Sequence, residues 1–222
     1  MNIDCNNITD YLGEEIGRGY SGIVYNNKFD SNKVIKHYKR TRDIENVINE
    51  YDIASQAGNL GISPNIYGEL ISCKPDPEKE LYNTYIIMDK IQGKEIGTEQ
   101  QLDLYFDRII DKIKILKEHG ITYPDYNIGN IMVGKLPDSD IEDAYLIDFG
   151  ACKRKNKSKI TIDKDKIYNS LLLNVKPPSY KMTKSIAEQR ESAARWAASN
   201  LNKSKKGGRK RNNKKTRRTR KI

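Results

Sequence analysis

The first third of the chain alternates short apolar runs with glycines and polar turns. Runs rich in β-branched and aromatic residues, in YLGEEIGRGYSGIVYNNKF and KVIKHY, predict strands. NIYGELIS and YNTYIIMDKI predict two more strands, joined by the polar loop CKPDPEKEL. A β-rich region is therefore expected over residues 1–90.

Two helices are predicted by apolar residues that recur at three- and four-residue spacing. The first lies in RDIENVINEYDIASQAGNLG, and its apolar stripe is formed by Ile44, Val47, Ile48 and Ile53. The second is expected from about Glu99 to His119, and Gly120 ends it. Its stripe is formed by Leu102, Phe106, Ile109, Ile113 and Leu116.

The rest of the pattern predicts a reduced, mainly helical region over residues 91–202. NIMVG and AYLIDFG predict two short strands, and DKDKIYNSLLLN and SIAEQRESAARWAASNL predict two helices. Residues 203–222 contain almost nothing that could form a core and are expected to be disordered. The predicted fold class is α+β.

Charge changes this picture mainly at the C-terminus. The chain has a net charge of +10, and twelve of its 40 Lys and Arg residues lie in residues 203–222, which contain no acid. That tail is either simply solvated or binds nucleic acid or an anionic surface. Because it has no aromatic residue, such binding would be independent of sequence and sensitive to salt.

The cysteine pattern and the hydropathy of the chain predict an intracellular protein. No apolar run approaches the ~18 residues that a membrane helix needs, and the polar N-terminus does not resemble a signal peptide. The three cysteines, Cys5, Cys73 and Cys152, are odd in number, far apart and not at metal-ligand spacing. They are expected to be unpaired packing or surface residues of a reduced, intracellular protein.

Gly17, Gly19 and Gly22 form the pattern G-x-G-x-x-G and are followed by Val24. By itself this pattern is equally typical of a glycine-rich hairpin turn. A dinucleotide-binding version needs a helix directly after the glycines. Here IVYNNKF continues as a strand, which favours a turn that closes over phosphates.

Lys36 follows Val34 and Ile35 at the end of a predicted strand. It is either a solvated edge charge or a lysine that binds the α- and β-phosphates of a nucleotide. In the second interpretation its partner is a helical glutamate, Glu50, with Glu45 as the alternative. Lys36 is expected to face a solvent-filled cleft.

Two further motifs contain oxygen ligands at informative spacing. HGITYPDYNIGNIMVG contains Asp125 and, five residues on, Asn130, and LIDFG contains Asp148. A carboxylate at position 125 suits proton acceptance from a hydroxyl, and Asn130 and Asp148 suit Mg²⁺. D-F-G alone could be an ordinary turn, but the four motifs occur in one consistent order.

This ordered set resembles the protein-kinase-like superfamily over about residues 10–175. The resemblance implies a two-lobed fold, with a β-rich N-lobe and a reduced, mainly helical C-lobe, that uses ATP and Mg²⁺. It implies that Lys36, Glu50 and Asp125 are catalytic and that Asn130 and Asp148 bind the metal. The nucleotide-binding residues it implies are Gly17, Gly19, Gly22, Val24, Lys36, Met88 and Lys90.

The departures from the family pattern concern the acceptor and regulation. Tyr123 and Pro124 stand where H-R-D has His and Arg, and no A-P-E follows Gly150. The expected function is a minimal serine/threonine protein kinase with a protein substrate, and the basic tail GGRKRNNKKTRRTRK resembles tails of proteins from large DNA viruses. The alternatives are a small-molecule alcohol kinase and an inactive nucleotide-binding scaffold. Since Pro124 offers no cation to an activation-loop phosphate, activity is expected not to depend on phosphorylation of Ser158 or Thr161.

Overall fold

The computed structural model of the chain describes residues 3–19, 22–41, 44–74 and 81–175. These residues lie in one compact unit, residues 1–178, and the predicted boundary near residue 90 falls inside that unit. They form ten strands and three α-helices, so the fold class is α+β, as predicted. The predicted helix over residues 185–201 and the basic tail lie outside the described residues.

The elements are numbered in chain order. The strands are β1 (Leu12–Arg18), β2 (Gly22–Asn27), β3 (Lys33–Thr41), β4 (Ile66–Cys73), β5 (Tyr82–Asp89), β6 (Gln92–Glu95), β7 (Ile121–Thr122), β8 (Ile131–Lys135), β9 (Asp143–Leu146) and β10 (Lys153–Arg154). The helices are α1 (Ile44–Asn59), α2 (Glu99–Glu118) and α3 (Lys164–Leu172).

Strands β1 to β5 form an antiparallel sheet in the order β1-β2-β3-β5-β4. Strand β3 is central and carries β-branched residues, which suits a position with a neighbour on each side. Successive side chains of a strand point to opposite faces. Accordingly, Tyr38 packs with Val47 of α1, whereas Ile35 packs on the other face with Tyr85 of β5 and with Tyr11.

The N-terminal segment covers this second face of the sheet and is joined to it by a disulfide between Cys5 and Cys73. The expectation that these two cysteines are unpaired is therefore wrong. They are 68 residues apart in sequence, and only the packing of the segment against the end of β4 brings them together. Cys152 is unpaired and buried, as expected, and its burial raises the pKa of its thiol.

The second part of the fold is built around α2. Thr98 caps this helix by accepting a hydrogen bond from the Gln101 backbone N–H at 3.2 Å, and Gly120 ends it with a φ of 71°. The predicted stripe of α2 is confirmed, since Leu102, Ile109, Ile113 and Leu116 are buried and Phe106 packs against them. No helix in the described part of the chain is both long enough and apolar enough to cross a membrane.

Two small sheets pack against the core that α2 forms. One has the order β6-β8-β9 and the other pairs β7 with β10. Helix α1 adds Ile53 and Ala57 to the same core, and Phe149 lies within it. Ile48, expected in the stripe of α1, is 42% exposed, because the buried positions are Val47, Glu50, Ile53 and Ala57 and residue 48 is rotated away from them.

The disulfide predicts a specific count of reactive thiols. In the folded, oxidised protein we expect no reaction with a thiol reagent such as DTNB, because Cys152 is buried. Denaturation without reductant should expose one thiol, and denaturation with reductant should expose three. A count of three without reductant would contradict the disulfide.

The same bond should also contribute to stability. Closing a loop of this length removes conformational entropy from the unfolded chain, worth about 4 kcal/mol in the chain-entropy model. We therefore expect Cys5→Ser to lower the free energy of unfolding in urea under oxidising conditions. The matched control is to compare both proteins in reductant, where the difference should shrink to the effect of the side chain alone.

Candidate active site

A cavity of about 490 Å³ lies where the open end of the five-stranded sheet meets the β6-β8-β9 sheet. Its walls include apolar side chains from both sheets, among them Val34, Met132 and Ile147. Nine residues that the sequence assigned to nucleotide or metal binding line this one cavity: Gly17, Gly19, Gly22, Val24, Lys36, Met88, Lys90, Asn130 and Asp148. Residues far apart in sequence therefore converge on a single cleft.

The glycine-rich turn lies between β1 and β2, as predicted. Gly19 donates its N–H to the Gly22 carbonyl at 2.9 Å and so closes the turn. At Gly22 a Cβ atom would lie 2.5 Å from the His37 carbonyl oxygen, so the close approach of β3 requires glycine there. At Gly17 and Gly19 a Cβ would meet no described atom closer than 3.9 Å. Packing among the described residues thus explains glycine at position 22 only.

Lys36 and Glu50 form a buried ion pair, with Nζ to Oε1 at 2.6 Å. The choice of Glu50 over Glu45 is confirmed, since Glu45 is exposed on the other side of α1. Lys36 lines the cleft, as expected, but its residue is only 8% exposed, because its Nζ is held by the Glu50 carboxylate of α1. The ion pair is therefore a structural element as well as part of the cleft.

Tyr38 completes this buried cluster, and the sequence did not single it out. Its hydroxyl donates to Glu50 Oε1 at 2.8 Å, and Lys36 Nζ lies 4.7 Å from the centre of its ring. Burial, followed by the charge of Glu50, raises the pKa of Tyr38, so its hydroxyl stays protonated as a donor. Lys36 and Tyr38 are two residues apart on β3 and so share a face, which is the sequence pattern that could have indicated this role.

Gly150 brings Asp148 next to Glu50. A Cβ at Gly150 would lie 3.1 Å from Glu50 Oε2 and 3.3 Å from Asp148 Oδ1. The Gly150 N–H donates to Asp148 Oδ1 at 3.0 Å, which orients that carboxylate. Phe149, between them, is buried in the core. The D-F-G sequence therefore has a structural reason at each position: a carboxylate that accepts the Gly150 N–H, a ring in the core and a residue without a Cβ beside Glu50.

Asp125 and Asn130 lie together on the loop that follows β7. Asn130 Nδ2 donates to Asp125 Oδ2 at 2.9 Å. Asn127 caps a short 3-10 helix over Ile128–Asn130 by accepting the Gly129 N–H at 3.0 Å, so this asparagine serves the loop's own backbone. The Ile147 N–H donates to the Asn130 carbonyl at 3.0 Å, which holds Asn130 beside the segment that carries Asp148.

Tyr123 connects this loop to the D-F-G segment. Its ring meets Phe149 edge-on, with centroids 5.8 Å apart, and its hydroxyl donates to the Asn130 carbonyl at 3.3 Å. Burial raises the pKa of Tyr123 well above its usual value, so this hydroxyl remains a donor. The residue that stands where H-R-D has histidine thus makes both a packing contact and a hydrogen bond within the candidate site.

Asp89 lies within the predicted stretch Met88 to Lys90 and orders the segment that follows β5, but its hydrogen-bonding role was not predicted from the sequence. Its carboxylate is buried and accepts from Asn65 Nδ2 at 2.9 Å and from the Tyr67 hydroxyl at 2.7 Å, which raises the pKa of Tyr67 to about 12. Lys90 donates its backbone N–H to the Asn32 carbonyl at 2.8 Å and its Nζ to Asn26 at 2.9 Å. Lys90 therefore belongs to the cavity wall, but its N–H is already bonded.

The donor atoms of the cleft suit a magnesium ion that arrives with a nucleotide. Asp148 offers a carboxylate, and Asn130 keeps its amide oxygen because its Nδ2 is bonded to Asp125. Among the described residues, no group of three or more His, Cys, Asp or Glu side chains is placed to hold a metal. Mg²⁺ commonly keeps waters and shares one or two protein ligands with substrate phosphates, so a pair of oxygen donors is sufficient for it.

Comparison with known proteins adds no assignment to this geometry. No family model matches the chain, and no curated protein matches it.

The buried ion pair predicts a large and specific cost for Lys36→Met. Removing Lys36 leaves the Glu50 carboxylate buried with Tyr38 as a partner but no cation, which should cost about 3 kcal/mol in free energy of unfolding. Adding Glu50→Gln should recover most of that loss, because no buried charge remains. Urea denaturation followed by circular dichroism measures both effects.

The matched control is Lys33→Met on the same strand. Lys33 pairs with Asp30 at 3.0 Å, but both side chains are about one third exposed. Such a pair contributes less than about 1 kcal/mol. A Lys36→Met protein that is no less stable than the Lys33→Met protein would contradict the buried pair.

Proposed function

We propose that this protein is an ATP- and Mg²⁺-dependent phosphotransferase with a two-lobed, protein-kinase-like architecture, and that it acts as a serine/threonine protein kinase of minimal size. The observation that carries the proposal is that Lys36, Asn130 and Asp148 line one cavity, with Lys36 fixed there by Glu50. A cation opposite two oxygen ligands is the arrangement that nucleotide phosphates with a bound metal require.

In this proposal the residues of the β-rich N-lobe make most of the contacts with the nucleotide. The glycine-rich turn would lie over the phosphates, where the absence of side chains at residues 17 and 19 permits close approach. Lys36 would bind the phosphates, and Glu50 and Tyr38 would hold its Nζ in place. Val24, Val34 and Met88 line the same cavity and would contact the base. Asp148 and Asn130 would hold Mg²⁺, which supplies positive charge against the charge on the transferring phosphoryl group.

Asp125 would act on the acceptor. It is exposed, and a groove of about 700 Å³ along it is open to a substrate. The acceptor hydroxyl oxygen would bond to the γ-phosphorus as the bond from that phosphorus to ADP breaks, and the hydroxyl proton would pass to the Asp125 carboxylate. The hydrogen bond from Asn130 would hold that carboxylate in position.

The retained polar residues support an active enzyme rather than an inactive scaffold. An inactive scaffold has no need to keep all four of the residues that would bind phosphate, metal and acceptor. Here Tyr123 joins Phe149 to Asn130, and the polar groups at residues 36, 125, 130 and 148 are all present. A small-molecule alcohol remains the alternative acceptor, and the open groove beside Asp125 favours a peptide.

The proposal predicts separate effects at the two carboxylates. With labelled ATP, Mg²⁺ and a generic protein acceptor, Asp125→Asn should lower kcat by at least a hundredfold while leaving the Kd for ATP nearly unchanged, because this group acts on the hydroxyl. Asp148→Asn should abolish transfer and weaken Mg²⁺-dependent ATP binding, measured by calorimetry. Asp140→Asn, an exposed aspartate on the loop between β8 and β9, is the matched control. Wild-type turnover in either variant would remove that residue from the mechanism.

We also predict activity without phosphorylation of the segment after Gly150. That segment is held in place by hydrogen bonds to other parts of the fold. Asn49 Nδ2 donates to the Cys152 carbonyl at 3.1 Å, and the Lys155 N–H donates to the Gly120 carbonyl at 2.7 Å. Phosphatase-treated enzyme and a Ser158→Ala variant should therefore retain the untreated rate. A tenfold loss, equivalent to ~1.4 kcal/mol in the barrier, would show that a phosphate orders this segment.

A further inference from the structure

Two cavities adjoin at the loop that carries Asp125. The first is the groove of about 700 Å³ along Asp125, and the second has a volume of about 420 Å³. They share Pro124, Tyr126, Lys155 and Thr161 in their walls. The charged side chains that line the second cavity are Lys153, Lys155 and Lys159, and no acidic residue lines it. We call it the lysine cavity.

Backbone bonds fix the lysine cavity relative to Asp125. Strand β10 pairs with β7, which ends three residues before Asp125, with Lys153 opposite Thr122. The Thr122 hydroxyl and the Lys153 backbone bond each other at 3.1 Å in both directions, and the Lys155 N–H reaches the Gly120 carbonyl at 2.7 Å. Successive side chains of a strand point to opposite faces, so Arg154 points away from Lys153, and the lysine cavity is lined by Lys153 and Lys155 but not by Arg154.

The charge of these lysines is uncompensated within the described residues. Lys153, Lys155 and Lys159 are exposed and make no ion pair there, and residues 153–166 contain seven Lys and Arg but only two Asp. Of the two acidic groups in the adjoining groove, Asp163 caps α3 by accepting the Lys166 N–H at 3.0 Å. The other is Asp125, the candidate proton acceptor. A cleft lined by one sign of charge attracts ligands of the opposite sign.

We propose that the acceptor is a hydroxyl in an acidic peptide segment, and that the carboxylates flanking this hydroxyl bind Lys153, Lys155 and Lys159. The inference rests on the proposed function, because it places the acceptor hydroxyl at Asp125. It adds the substrate class: serine or threonine among aspartates and glutamates.

The walls of the lysine cavity favour a peptide over nucleic acid. Single-stranded nucleic acid gains much of its affinity from bases that stack on aromatic faces. The two aromatic residues of this cavity are Tyr123, which is buried against Phe149, and Tyr126, which is half-buried and packs against the core. The remaining wall is largely aliphatic, with Ile121, Ile160 and Ile162, and suits the short carbon chains of acidic side chains.

The test compares three peptides that differ only around one serine, which is flanked by glutamates, alanines or lysines. For the full-length enzyme we expect kcat/KM to be at least tenfold higher for the glutamate peptide than for the alanine peptide, with the preference falling as salt is added. Lys153→Glu/Lys155→Glu should reduce that preference at least tenfold and raise kcat/KM for the lysine peptide. The matched control is Arg154→Glu/Lys157→Glu, which makes the same charge change outside the lysine cavity and should keep the wild-type preference.

Binding of fluorescein-labelled peptides without ATP separates this inference from the proposed function. If no peptide is phosphorylated but the glutamate peptide binds and Lys153→Glu/Lys155→Glu abolishes that binding, the acidic-peptide surface stands and the kinase function fails. If all three peptides are phosphorylated equally, the function stands and the inference is overturned. The inference is also overturned if both double variants lose the preference equally, if no peptide binds, or if single-stranded RNA binds this surface more tightly than the glutamate peptide.

Discussion

The ion pair between Lys36 and Glu50 is the contact on which the rest of the candidate site depends. Both residues are less than a tenth exposed, so each charge is tolerable only while the other is in place. The pair joins the central strand β3 to α1, and it places the Glu50 carboxylate against Gly150. One buried contact therefore sets the relative positions of the sheet, the helix and the segment that carries Asp148.

The Asn130 carbonyl is a second junction. It accepts the Ile147 N–H and the Tyr123 hydroxyl, so the loop with Asp125 and the strand end before Asp148 are held at one atom. The Tyr123 ring also meets Phe149, so this one residue adds an aromatic contact and a hydrogen bond to the junction. Backbone pairing between β7 and β10 holds the segment after Gly150 against the start of the same loop.

The pairing of β10 with β7 also fixes the position of the basic residues that follow Gly150. A run of lysines is ordinarily a solvated surface, and its position carries no information. Here Lys153 lies on β10 and Lys155 directly after it, and both line the cavity that shares Pro124 and Tyr126 with the groove along Asp125. In the proposed function, the groove for the acceptor and the surface that selects it would therefore adjoin at residues 124–126.

The pattern of residue types along the chain was sufficient to predict much of the secondary structure and many residues of the candidate site. Periodicity predicted β1 to β5, α1, α2 and α3, because a strand or helix is identified by which neighbours along the chain share a face. Motif spacing pointed to seven of the nine residues that line the cleft, and to Glu50, whereas the family resemblance alone pointed to Met88 and Lys90.

Contacts between distant segments decided the rest. Several features depend on residues that are neighbours only after folding. They are the pairing of Cys5 with Cys73, the burial of Lys36, the roles of Tyr38, Tyr123 and Asp89, and the lysine cavity. Ile48 shows the same limit, since its side of α1 has no partner in the described fold and stays exposed. Periodicity shows which side of an element is apolar, but burial and hydrogen bonding depend on what packs against that side, and only the tertiary structure supplies it.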